Sequence, residues 1–168
     1  MILNSTEPNF PEVKIDICIA PEDLKIFADP NLMGQVLFNL MKNAFYALRG
    51  REDAHITLSA EHGPTGKVLI RVRANGPGIP PEIMNEIFVP FFTTKEEGSG
   101  IGLSVSRQIM RMHGGNLKVS SIEGKETVFT IIIWKWCFIF IWNLIENQCI
   151  SVESDRMDVL LEKFFELG

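Results

Sequence analysis

The sequence predicts a single α/β domain, and three observations carry that expectation. Short β-branched segments of period two are interleaved with two longer segments of helical period. The chain has 168 residues, the span of one domain. Its composition, 46% hydrophobic and 22% charged, supports a real core and excludes disorder for most of the length. A net charge of −5 argues against nucleic acid as a partner.

The elements follow in order. Residues 13–19 alternate and are β-branched, which gives a first strand. Asp29-Pro30 starts a helix, because Asp caps and Pro suits the first helical position. Helical period then runs over residues 31–48 and stops at Arg49-Gly50. Residues 54–60 and 67–74 read as two strands joined by a turn at His62-Gly63-Pro64-Thr65-Gly66. In the second of them Val68, Ile70, Val72 and Ala74 share one face, and Leu69, Arg71 and Arg73 the other. A tight loop, Asn75-Gly76-Pro77-Gly78, leads to a short helix over 81–87. Residues 88–102 hold glycines and no clear period, so they form a long loop, and long loops inside compact domains are usually functional. A second helix covers 102–112 and stops at His113-Gly114-Gly115. Residues 116–121 and 127–133 read as a closing hairpin, and 151–168 as an amphipathic helix.

Chemistry concentrates on the first helix and two glycine loops. At about 100° per residue, Gln35, Asn39, Lys42, Asn43 and Tyr46 fall in one band about 100° wide. Amide oxygens suit Mg²⁺ and an ammonium suits phosphate. The solvated face of any amphipathic helix has the same appearance, so position alone leaves both readings open. Gly76-Pro77-Gly78 lets the chain turn hard after a strand and approach a ligand. Gly98-Ser99-Gly100-Ile101-Gly102 runs into a helix, where backbone N–H groups and the helix dipole favour an anion. Neither loop is a P-loop: Gly66-Lys67 and Gly124-Lys125 precede Val68 and Glu126, not Ser or Thr. The second follows a loop and not a strand, which argues against a dinucleotide fingerprint.

Four motifs occur in order: Gln35-x-x-x-Asn39-Leu40-x-x-Asn43-Ala44, Asn75-Gly76-Pro77-Gly78-Ile79, Phe88-Val89-Pro90-Phe91-Phe92-Thr93-Thr94-Lys95 and Gly98-Ser99-Gly100-Ile101-Gly102-Leu103. Together they resemble the N, G1, F and G2 boxes of the catalytic, ATP-binding domain of bacterial sensor histidine kinases. The Phe-Phe-Thr-Thr-Lys form is similar to the nitrogen-regulation type. The match covers about residues 13–133, which assigns 1–133 to this domain and 134–168 to a hydrophobic extension with a terminal helix. The resemblance implies a two-layer α/β sandwich, a mixed sheet with helices packed on one face, shared with gyrase-type ATPases and Hsp90. It implies ATP and Mg²⁺ as ligands. Asn43 would bind Mg²⁺, and Asn39 and Lys42 would meet the phosphates, so that Asn39, Lys42 and Asn43 form the catalytic set. Gly76 and Gly78 would shape the adenine pocket, with Thr127 near the base, and Ala74 and Ile79 would also lie at the ATP site. Residues 88–102 would be the ATP lid, with Thr94, Lys95 and the backbone from Gly98 through Gly100 and Ile101 to Gly102 over the triphosphate, and Leu103 would also lie at the ATP site. The implied partners are a phosphoacceptor histidine domain and, downstream, a response regulator, in the cytoplasm.

Gln35 separates branches of that superfamily. ATP-hydrolysing members are expected to carry a glutamate there to activate water, and a glutamine takes up no proton at neutral pH. This favours phosphoryl transfer to an outside nucleophile over hydrolysis; a glutamine that merely solvates the helix face is the other reading.

The sequence departs from the family pattern at four points. Ala74 stands where the family has the Asp that accepts from the adenine amino group. That change opens an alternative, a relative with impaired nucleotide binding that serves as an interaction module. Glu126 stands where a glycine is usual, and either crowds the base or points to solvent. His55, His62 and His113 precede Ile, Gly and Gly, so no phosphoacceptor His-Glu or His-Asp pair occurs, and no dimerisation segment is expected ahead of the domain. Apolar sequence continues past Trp134, where a Leu-Pro is usual. In a strand, Trp134, Trp136, Phe138, Phe140 and Trp142 would share one face, so residues 134–150 are expected to be covered, by a homodimer partner first, by residues 151–168 second, and by membrane contact only if the tail inserts. Residues 1–7 hold no basic residue or apolar run, so no secretory leader is expected. Cys18, Cys137 and Cys149 are too few for a disulfide framework or a four-ligand zinc site, and read as free thiols.

Overall fold

The period-two segments form β1 (Lys14–Ala20), β2 (His55–His62), β3 (Lys67–Ala74), β4 (Asn116–Ile122), β5 (Glu126–Trp134) and a short β6 (Ile150–Val152). The helical segments form α1 (Pro30–Ala47) and α2 (Gly102–Met112). The structure, a computed structural model, describes residues 13–21, 24–26, 28–95, 98–134 and 150–152. Among these, no helix is long and apolar enough to cross a membrane.

The strands make one mixed sheet in the order β4-β5-β3-β2-β1-β6. β1 and β2 are parallel, with Ile15 opposite Ile56. They flank α1, because a parallel pair needs a crossover and the helix supplies it. The remaining neighbours are antiparallel: β2 with β3, β3 with β5, β4 with β5, and β1 with β6. Strand alternation sends Ile56, Leu58, Val68, Val72, Phe129 and Ile131 to one buried face. Val36, Leu40, Phe45 and Leu48 of the α1 segment and Ile109 and Met110 of α2 cover that face. The result is the two-layer sandwich with helices on one side of the sheet.

The opposite face is polar. Arg71 pairs with Glu61 at 2.6 Å, Arg73 with Glu126 at 2.6 Å, and the Lys67 ammonium lies 4.8 Å from the Trp134 ring centre. Glu126 therefore turns to the outer face and does not crowd the base side. The parallel register also brings Asp16 beside His55, with Oδ2 2.7 Å from Nε2. No His-acid pair is visible in the linear sequence, yet His55 has one in space, on the face away from the helices.

Several expectations change. The short helix over 81–87 is only a 3₁₀ turn at Pro81–Ile83. Pro80 and Pro81 supply no N–H, and no side chain caps the turn. Ser151 and Val152, expected in a helix, are strand: they add to the free edge of β1. The rest of that helix, and the aromatic stripe beyond Trp134, lie outside the described residues. Cys18 is disulfide-bonded, so the expectation of three free thiols does not hold.

Asp29 fixes the start of α1. Its Oδ1 accepts the Leu32 N–H at 3.0 Å, and its own N–H donates to Nε2 of His113 at 3.0 Å. Asp29→Ala removes the first contact and keeps the second. The expected loss is about 1 kcal/mol of stability by urea unfolding. An unchanged midpoint would show that the cap contributes nothing.

Candidate nucleotide site

Contacts join four segments over the helical side of the sheet: the middle of α1, the loop after β3, the loop entering α2, and the start of β5. Each reaches the site for a local reason. Asn39 and Asn43 are one turn apart on α1, on the side away from buried Leu37, Leu40 and Ala44. Gly76 lies buried against Ala47 and Leu48, and an added Cβ would sit 3.4 Å from the Ala47 Cβ. Gly78 has φ +76° and approaches the Ile122 and Glu123 backbone so closely that a Cβ would lie 2.5 Å from the Ile122 oxygen. Gly100, at φ +67°, folds the long loop back on itself, and its carbonyl accepts the Phe91 N–H at 3.0 Å.

One end of the site is cationic. Lys95, carried by the long loop, donates its Nζ to Asn43 Oδ1. The same ammonium lies 4.5 Å from the Tyr46 ring centre, and Arg49 caps that ring at 4.7 Å. Burial pushes the Lys95 ammonium down to about 8, and the nearby positive charges of Lys42 and Arg49 push the same way. Among the described residues no carboxylate pairs with Lys42, Arg49 or Lys95. Beside them α2 begins at Gly102, and Ile101 before it supplies no side-chain cap, so the first N–H groups of the helix remain available. Asn39 ties α1 to this helix start, donating its Nδ2 to the Gly102 carbonyl at 3.2 Å and to Ser106 Oγ at 3.1 Å.

The other end is neutral. Ala74 and Thr127 are paired neighbours on β3 and β5, and Ala74 is buried. Ser121 Oγ accepts the Ile79 N–H at 2.8 Å and donates to the Glu126 carbonyl at 2.8 Å. Its hydrogen being spent, the 2.8 Å contact with Thr127 makes Thr127 Oγ1 the donor to Ser121. The lone pairs of Thr127 are then left to face a ligand.

Asn39, Asn43, Lys95 and Gly102 are thus brought together at one end, and Ala74, Gly78, Ile79 and Thr127 at the other. Gly76 packs on the C-terminal end of α1. Lys42 is exposed and acts on Lys95 through its charge. Leu103 packs on the core, while Thr94 and Ile101 are exposed. Gly98 closes the turn after Lys95, its N–H donating to the Lys95 carbonyl at 3.3 Å. Arg49, Ser106 and Ser121 escape sequence reasoning. Ser106 follows Gly102 by one helical turn, and only the packing of α1 on α2 gives that spacing a meaning.

Comparison with known proteins identifies the family. Residues 28–136 match the family described as histidine kinase-, DNA gyrase B- and HSP90-like ATPase. The chain is 50% identical over 113 residues to the sensor histidine kinase ZraS of Salmonella typhi, covering 67% of this chain and 24% of that kinase. It is 40% identical over 132 residues to the adaptive-response sensory kinase SasA of Parasynechococcus marenigrum, covering 74% and 33%. Among solved structures, the nucleotide-free catalytic domain of histidine kinase ThkA is 40% identical with a TM-score of 0.62, over 72% of this chain and 79% of that one. Full-length ShkA in complex with AMPPNP is 26% identical with a TM-score of 0.64, over 72% and 25%. The chain thus spans about a quarter of the length of the ZraS kinases it matches. On the matched residues, the sheet and the paired amides of α1, the chain belongs to the family of histidine kinase-, DNA gyrase B- and HSP90-like ATPases.

Proposed function

We propose that this chain is the ATP-binding catalytic domain of a two-component sensor histidine kinase. It presents Mg²⁺-ATP to a histidine supplied by another segment or chain, which hands the phosphoryl group to a response regulator in the cytoplasm. The observation that carries the reading is the cluster of Lys42, Arg49 and Lys95. Three cations with no carboxylate partner among the described residues repel one another, and a triphosphate relieves that repulsion.

The residues also suit Mg²⁺. Asn43 Oδ1 already accepts from a cation, the Lys95 ammonium, so its oxygen is oriented toward positive charge. Amide oxygen, with the remaining positions left to phosphate oxygens and water, fits the habit of this ion. When bound, Mg²⁺ neutralises developing charge on the phosphates. The protein's own contribution is positioning. Lys95 exchanges the Asn43 oxygen for phosphate oxygens, Lys42 and Arg49 hold the field positive, and the start of α2 donates N–H groups. Gln35, exposed one turn before Asn39, offers no base for water. The γ-phosphoryl therefore passes to an external nucleophile.

The test is incubation with labelled ATP, with and without a phosphoacceptor histidine domain. Alkali-stable label is expected on the added domain and not on the chain itself. Both ring nitrogens of His113 are engaged, with Asp29 and Ile109, and His55 lies on the far face of the sheet. Stable label on His55, His62 or His113 would overturn this account. Failure to bind Mg²⁺-ATP in a calorimetric titration would favour the alternative that Ala74 opens, a relative with impaired nucleotide binding that serves as an interaction module.

A further inference from the structure

Ser106 is the buried polar residue among those described, at 0% exposure. A buried hydroxyl is costly unless its hydrogen bonds are made. Here they are made in a closed cycle. Ser106 Oγ donates to the Gly102 carbonyl at 2.8 Å, one turn back on α2. Asn39 Nδ2, from α1, donates to that same carbonyl at 3.2 Å and to Ser106 Oγ at 3.1 Å. The cycle fixes which end of the Asn39 amide is which. A carbonyl only accepts, so the nitrogen must face Gly102. The Ser106 hydrogen is spent on that carbonyl, so its oxygen must accept from the same nitrogen. The two acceptors are themselves 2.8 Å apart, so the nitrogen end of the amide meets both on one side. The end of Asn39 left for a ligand is its oxygen, and Asn43 follows one turn later on α1.

We propose that Ser106 is a positioning residue of the nucleotide site: its hydroxyl locks the Asn39 amide with nitrogen inward, so that α1 offers two amide oxygens, from Asn39 and Asn43, to Mg²⁺ and its water shell. The proposal rests on the nucleotide-binding reading above. Without the hydroxyl, the amide keeps one bond to Gly102 and turns more freely. A turned amide presents N–H groups to a cation, which repels it. The lock also explains a serine where an apolar residue would otherwise fill the helix interface.

The experiment measures ATP affinity with Mg²⁺ and with chelator, in the wild type, Ser106→Ala and Ser106→Thr. The readout is the Mg²⁺ advantage, the ratio of the two dissociation constants. Ser106→Ala is expected to lower it by about fivefold, the weight of one net hydrogen bond, with affinity in chelator nearly unchanged. Ser106→Thr, which keeps the hydroxyl, is expected to retain the advantage. An unchanged advantage in Ser106→Ala overturns the proposal. So does an equal loss with and without Mg²⁺, which is what a merely structural serine gives. A wild type that binds no ATP under either condition overturns the nucleotide reading itself, and the proposal with it. A second readout needs no variant. The Asn39 side-chain amide protons of the wild type are expected to exchange with solvent more slowly than those of exposed asparagines. Exchange at the exposed rate would show that no lock exists.

Discussion

Ala74→Asp is expected to tighten Mg²⁺-ATP binding at least tenfold by calorimetric titration. Ala74 is 4% exposed, between Ile56 of β2 and Thr127 of β5, at the neutral end of the site. Its methyl group accepts no hydrogen bond. The family resemblance gives this position an Asp that receives the adenine amino group. Restoring an acceptor opposite a buried donor is worth about 1–3 kcal/mol, or roughly 5–150-fold in affinity. Thr127 offers a partial substitute, because its hydrogen goes to Ser121 and its lone pairs remain open. The gain should be restricted to bases with an amino group at that position. Inosine triphosphate, which carries a keto oxygen there, should bind no better to the variant than to the wild type. The nucleotide-free variant should also lose about 1–3 kcal/mol of stability, since a carboxylate is placed in a buried position. Saturating ATP should restore part of it. Equal ATP affinity in both proteins would put Ala74 away from the base.

The same residues show what a sequence can and cannot disclose. Strand β3 and helix α2 begin and end where period and glycines put them, because burial on one face dictates both patterns. The other main elements differ from the sequence expectation by at most two residues at either end. The Asn39 and Asn43 band was legible for the same reason: it is the part of α1 that cannot be core. Contacts between elements were not legible. Glu126 looks like an obstruction in the linear motif, yet strand alternation turns it to Arg73 on the outer face. His55 has no acid beside it in sequence, and the parallel β1–β2 register supplies Asp16. Ser106 and Ser121 are small polar residues in common surroundings, and each gains a role only from the partner that a distant segment brings. The Lys95 contact with Asn43 spans the whole middle of the chain, and no local spacing encodes it.

Gly78→Ala is expected to cost more than its backbone angle alone explains, and to weaken ATP along with the fold. Two penalties combine. At φ +76° an L-residue loses about 1–2 kcal/mol to its own carbonyl. The new Cβ would also lie 2.5 Å from the Ile122 oxygen and 2.7 Å from the Glu123 Cα. Those neighbours are backbone, so they yield only if the β4–β5 turn moves. That turn is held by the Gly124 N–H on the Pro77 carbonyl at 2.7 Å, and the Ile79 N–H reaches Ser121 at 2.8 Å. Overpacking of this kind adds about 1–3 kcal/mol. The displaced turn carries Ser121, and with it the orientation of Thr127, so the base end of the site loosens. Gly50 supplies the control, at φ +78° with nothing within 4 Å of an added methyl group, and it lies outside the described contacts of the site. Gly50→Ala should therefore show the angular penalty alone, with ATP affinity unchanged. Urea unfolding and ATP titration of both variants separate the terms. If Gly78→Ala proves no worse than Gly50→Ala in either measurement, the packing of this loop on the β4–β5 turn is not what shapes the base pocket.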